Sequence, residues 1–115
     1  MGASKLLGRY GEQLASEFLR QKGYTILASG YRGPYGEIDL IARKDDTVSF
    51  VEVKTRQSMS YLPARTAVGP AKQRRIMLTA QQWIDENQCR LQFSFDIIEI
   101  YIRDKKIKHI KNAFN

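Results

Sequence analysis

An α/β chain of the α+β type, with a central mixed β-sheet flanked by helices, is the fold that three observations predict. Apolar residues recur at helical spacing near the start and again past the middle of the chain. Runs rich in Ile, Leu, Val and Phe fill the intervals, and Gly or Pro punctuates most junctions between them. The resulting order is helix, three strands, helix, two strands, which calls for a sheet covered by helices.

Residues 5–22 carry Leu7, Tyr10, Leu14 and Phe18 at helical spacing and stop at Gly23. Residues 24–31 read as the first strand. Gly30, Gly33, Pro34 and Gly36 then turn the chain into a second strand, Gly36-Glu37-Ile38-Asp39-Leu40-Ile41-Ala42. A third, Phe50-Val51-Glu52-Val53-Lys54-Thr55-Arg56, follows across the polar residues Arg43, Lys44, Asp45, Asp46 and Thr47. Residues 57–69 hold Ser, Pro, Gly and Thr with little periodicity and read as a long loop, where function often resides. Pro70 suits the first turn of a second helix, whose stripe is Ile76, Ala80, Trp83 and Ile84, with Trp83 in the core. Residues 93–102 form a strongly hydrophobic strand, and 106–110 an edge strand after the turn Arg103-Asp104-Lys105.

With 115 residues and 43% hydrophobic composition, the chain is one folded domain spanning residues 1–115. It contains no repeats and no low-complexity tract. No apolar run approaches the roughly 18–20 residues needed to span a bilayer, and no apolar signal-peptide region opens the chain. Leu6 stands where a myristoylation signal needs Ser or Thr. The expectation is a cytoplasmic protein without a membrane partner. A single cysteine, Cys89, excludes an intramolecular disulfide and a Cys-rich zinc site, and is expected near a helix end.

Charge narrows the partner. Nineteen Lys and Arg against twelve Asp and Glu give a net +7, the footprint of a protein that meets polyanions, nucleic acid first among them. Many small proteins are basic without such a partner. Here Lys54, Arg56, Arg65, Lys72, Arg74 and Arg75 follow or end the third strand, and Arg103, Lys105, Lys106, Lys108 and Lys111 cluster near the C-terminus. Cations in the first turn of a helix oppose its dipole, so Lys72, Arg74 and Arg75 are either a solvated face or an anion site that a phosphate completes.

The second and third strands carry the chemistry. Alternation puts Glu37, Asp39 and Ile41 on one face, and Phe50, Glu52, Lys54 and Arg56 on one face of the next strand. A hairpin centred on Asp45 and Asp46 pairs positions that sum to 91, setting Asp39 opposite Glu52 and Glu37 opposite Lys54, about 4.5–5.5 Å apart at Cβ. An odd loop or a bulge would shift this facing by one residue, and another register would leave Glu52 in an ordinary ion pair with Arg43 or Lys44. Two directly opposed carboxylates are unfavourable unless a cation lies between them. Asp96, Glu99 and Trp83 read as structural, and His109 has no partner pattern that would make it a general base.

Gly11-Glu12 in the first helix, Gly23-Tyr24 entering a strand, the segment from Gly36 to Ala42, and Val51-Glu52-Val53-Lys54-Thr55-Arg56 together resemble the YraN family of small bacterial proteins. That family is placed in the PD-(D/E)xK, or restriction-endonuclease-like, superfamily and is similar in pattern to archaeal Holliday-junction resolvases. Ile38 stands where the superfamily motif has proline, as is common in the resolvase-like branch. The resemblance implies a restriction-endonuclease-like αβββαβ core. It also implies that Asp39, Glu52 and the Val53 carbonyl hold Mg²⁺ or Mn²⁺, with Glu12 completing the shell directly or through water. Lys54 would orient the attacking water or neutralise the developing phosphorane. Glu37 would either pair with Lys54 or act as an alternative ligand.

Three function classes follow. The first is a metal-dependent endonuclease acting on DNA, branched or structured DNA included, as a homodimer if the resolvase analogy holds. The second is a nucleic-acid-binding module, or a partner in a repair or recombination complex, without turnover. The third is a protein-interaction domain whose basic balance is incidental. In the first two, Arg56, Arg65, Lys72, Arg74 and Arg75 meet the phosphate backbone.

Overall fold

The computed structural model describes residues 3–58 and 68–115. Its elements are α1 (Ala3–Gln21), β1 (Thr25–Gly33), β2 (Gly36–Lys44), β3 (Thr47–Arg56), α2 (Pro70–Asn87), β4 (Gln92–Tyr101) and β5 (Lys106–Phe114). The five strands form one sheet in chain order. Neighbours are antiparallel except β3 and β4, which run parallel from Thr47↔Gln92 to Arg56↔Tyr101. A parallel pair needs a crossover, and the chain between β3 and β4 that contains α2 supplies it. The αβββαβ order of the restriction-endonuclease-like core is therefore present, with β5 added at one edge.

The helices cover opposite faces. Ile76, Ala80 and Trp83 of α2 pack with Ile38, Ile41, Val48, Phe50 and Ile97, whereas Ala15 and Leu19 of α1 pack with Leu40, Ala42, Val51, Ile98 and Ile100. The α2 stripe lies where its periodicity put it. The α1 stripe is rotated: its buried centre is Gly11, Ala15, Ser16 and Leu19, with Leu14 and Phe18 at the flanks and Tyr10 half exposed. Bulky residues mark the edges of this helix face because the small ones allow the closest approach to the sheet.

Pairing of Lys44 with Thr47 closes β2 and β3 around a two-residue turn at Asp45-Asp46. Asp45 takes a left-handed φ of 55°, which Asp tolerates better than most residues, and Arg43 Nε donates to its carbonyl at 2.9 Å. The strands β1 and β5 run further than the sequence suggested, to Gly33 and Phe114. Of the segment 57–69 read as a loop, 59–67 lie outside the described residues, and Arg65 with them. Cys89 is half-buried directly after α2, its N–H donating to the Ile84 carbonyl at 3.0 Å. Among the described residues no helix is long and apolar enough to cross a membrane.

Candidate active site

The site forms where β2 and β3 part. Their ladder follows the sum-91 register from Lys44↔Thr47 to Leu40↔Val51 and stops there. On the other side of β2, Gly30 lies between the pairs Ser29↔Leu40 and Tyr31↔Ile38 and has φ +62°, a conformation glycine adopts without steric cost. Alternation breaks at this point: Ile38 and Ile41, three residues apart, both pack into the α2-side core. Asp39 sits in the break. Its Oδ2 accepts from the Val53 N–H at 2.8 Å, doing for that amide what a strand carbonyl would otherwise do. A strand residue presents its N–H and C=O to the same side, so the Val53 carbonyl opens to the same gap.

The Asp39 and Glu52 side chains meet there, just beyond the last paired residues, Leu40↔Val51. Burial first, and the Glu52 charge second, push the Asp39 carboxyl up to about 7, against the opposing pull of the Val53 amide. Glu12, half-buried on α1, lies within electrostatic range, and its own carboxyl is raised by burial and then by Glu37 and Glu52. Glu52 is only 7% exposed. Its Oε2 receives the Lys72 ammonium at 2.6 Å and lies 3.6 Å from that of Lys54. Burial, followed by the Lys72 charge, lowers Lys54 below the ordinary lysine range.

The expected site residues do not all converge. Asp39, Glu52 and Lys54 come together, with Glu12 in the neighbourhood. Glu37 does not face Lys54, because the ladder ends before reaching either residue; it takes Arg32 instead, at 2.6 Å. Lys72, expected at the phosphate backbone, is turned inward onto Glu52, while Arg74 and Arg75 are exposed. Arg75 lies beside Gly36 at the start of β2, and Arg56 closes β3. The β4–β5 turn is pinned to the end of β3 by N–H donation from Ile102 to Arg56 at 2.9 Å and from Arg103 to Gln57 at 2.8 Å. Arg103, far away in sequence, is thereby brought beside the end of β3 that carries Arg56.

The donor set suits a hard cation. Two carboxylates in contact repel one another until a proton or a cation lies between them, and the oxygen donors match Mg²⁺ or Mn²⁺, which keep several of their waters. Among the described residues no three His, Cys, Asp or Glu side chains converge tightly enough to hold a metal by themselves. The oxygen donors gathered in the gap are Asp39, Glu52 and the Val53 carbonyl, with Glu12 in electrostatic range.

Sequence reasoning missed a second polar cluster. Asp96, 1% exposed, accepts from His109 Nε2 at 2.7 Å, from the Ser94 hydroxyl and from the Asn112 N–H at 3.1 Å. Burial raises the Asp96 carboxyl, but these donors together outweigh it and hold the group below the usual range. An Asp inside the most hydrophobic strand was the available signal, since a buried carboxylate needs partners and the chain has one histidine. A cavity of about 450 Å³ adjoins Asp96, lined by Tyr24, Lys44, Ser49 and Ser94 among others; it borders the β2–β3 turn, away from the carboxylate pair.

Comparison with known proteins agrees over nearly the whole length. The chain is 42% identical over 109 residues to a UPF0102 protein of Desulfosudis oleivorans, covering 94% of this chain and 89% of that one. It is 42% identical over 113 residues to a UPF0102 protein of Alkaliphilus metalliredigens, covering 96% and 99%. A UPF0102 protein of Alkaliphilus oremlandii is 43% identical over 116 residues, with 96% and 99% covered. The model of the uncharacterised protein family UPF0102 matches residues 11–100, a span running from the glycine that docks α1 through the carboxylates to the end of β4, and the chain belongs to that family.

Proposed function

We propose that this protein is a metal-dependent endonuclease that hydrolyses phosphodiester bonds in nucleic acid, with DNA, branched or structured, as the substrate. The observation that carries the reading is the Asp39–Glu52 carboxylate pair in the β2–β3 gap, bordered by Lys54 and Lys72. Asp39, Glu52 and the Val53 carbonyl would hold Mg²⁺ or Mn²⁺. Bound there, the ion supplies a lowered water pKa and positive charge at the scissile phosphate. Lys54, partly buried beside Glu52, presents its ammonium to the phosphoryl oxygens as negative charge builds on them. The Val53 N–H orients the Asp39 carboxylate within the gap. Arg56, Arg75 and the β4–β5 turn hold the backbone on either side.

The test is a panel of labelled linear duplex, single strand, flap and four-way junction with Mg²⁺, Mn²⁺ or EDTA. Wild type should yield metal-dependent products, and Asp39→Ala and Lys54→Ala should lose them while Lys54→Ala keeps its binding. One observation favours a second reading, binding without turnover: Lys72 already neutralises Glu52. Tight, salt-sensitive binding with no product in any metal would establish that reading and reject the first.

A further inference from the structure

Lys72 occupies an unusual position for a residue in the first turn of a helix. Pro70 opens α2, the turn contains no acidic side chain, and Gly69 provides no side-chain cap. A cation there opposes the helix dipole, so its placement draws on something outside the helix. That something is Glu52. The Lys72 ammonium approaches Glu52 Oε2 at 2.6 Å, a full ångström closer than Lys54 approaches the same oxygen. The two lysines also differ in access: 41% of the Lys72 side chain is exposed against 20% for Lys54. Lys54 belongs to a strand paired with β4, whereas Lys72 reaches in from the rim on a flexible four-carbon stem.

We propose that Lys72 is a displaceable internal counter-ion of the carboxylate pair, holding Glu52 in the metal-free protein and competing with the divalent cation for it. This inference rests on the pair being the cation site. Asp39 and Glu52 supply at most two negative charges, and two ammonium groups already face Glu52. A divalent cation on the same oxygens adds two positive charges within a few ångströms of Lys72, so it enters as Lys72 swings out. The departing ammonium then stands at the rim of the site, two positions from Arg74 and three from Arg75 in the same helix, where a phosphate backbone would meet it. Lys72 thereby sets a threshold for metal loading that a polyanion lowers, because the phosphate gives the released ammonium a new partner.

The experiment is calorimetric titration of Mn²⁺ into the full-length wild type, Lys72→Met and Glu52→Gln, with melting curves of each in EDTA and in Mn²⁺. Methionine keeps the stem and removes the charge. Lys72→Met should bind Mn²⁺ about tenfold or more tightly than wild type, because a like charge beside the ion is gone. It should also melt lower in EDTA and gain more from Mn²⁺. Unchanged or weaker Mn²⁺ binding in Lys72→Met, with wild-type binding that Glu52→Gln abolishes, overturns the counter-ion role and leaves the metal site standing. No Mn²⁺ binding by wild type or Lys72→Met overturns both.

Discussion

Burial and the neighbouring Glu52 charge push Asp39 up to about 7 from an ordinary value of 3.8, and the sign of the consequence follows from linkage. Between those values the folded chain keeps a proton that the unfolded chain has released. Stability from this group is therefore fullest below the lower value and is lost as pH rises through the upper one. Asp39→Asn never ionises, so in EDTA its melting temperature should climb relative to wild type between about pH 4 and about pH 8. Adding Mg²⁺ at the alkaline end should raise the wild type and leave the variant where it was. A constant difference across the window would show that Asp39 ionises in the fold as freely as in water. The two-residue turn and the register from Lys44↔Thr47 to Leu40↔Val51 were legible in the sequence by arithmetic, and they bring the Asp39 and Glu52 side chains together although the ladder stops one step short of pairing them. What Glu37 does was not legible, since the β2–β3 ladder ends at Leu40↔Val51, short of both Glu37 and Lys54.

At the scale of the element, α1 matters through how closely it lies on β3. A Cβ at Gly11 would overlap Thr55 Oγ1 and would also crowd the Cβ and Cγ2 of the same residue at 3.0 and 3.1 Å, so rotating the hydroxyl does not relieve it. The helix must back away, carrying the adjacent Glu12 from Asp39. Gly8, one turn earlier on the same helix, has nothing within 4 Å of a built Cβ. Two identical changes should therefore have opposite signs in urea unfolding. Gly11→Ala is expected to cost about 1–3 kcal/mol through overpacking, and Gly8→Ala to stabilise by about 0.5–1 kcal/mol through helix propensity. Equal effects at the two sites would mean that α1 slides on the sheet without penalty. The same close contact explains why the buried face of α1 is rotated from its apolar stripe: Leu7, Tyr10, Leu14 and Phe18 carry the apolar area, but Gly11 and Ala15 carry the approach. The α2 face, built on Ile76 and Trp83, has its bulk at its centre and could be read directly.

Across the whole molecule the parallel β3–β4 pair decides where charge accumulates. Because Arg56 is level with Tyr101, the turn that follows β4 emerges beside the end of β3, and Arg103 joins Lys54 and Arg56 at one end of the sheet. The β2–β3 turn with Lys44 lies at the opposite end, where Lys44 stands over the Tyr24 ring. Sequence separation hides this convergence, and likewise the inward turn of Lys72, which depends on how the crossover returns α2 to the sheet. If the basic end is the phosphate-binding surface, position rather than net charge controls affinity. Arg56→Ala, Arg75→Ala and Arg103→Ala should each weaken binding to a labelled duplex, and each should flatten the plot of log affinity against log salt by one phosphate contact, a slope change of about 0.9. Lys44→Ala removes the same unit of charge at the far end and should leave that slope unchanged. Equal small losses for all four variants would assign binding to the overall +7 charge and take the basic end out of the site. Loss confined to the first three, with the metal-free slope preserved in Asp39→Asn, would separate the surface that holds the backbone from the carboxylates beneath it.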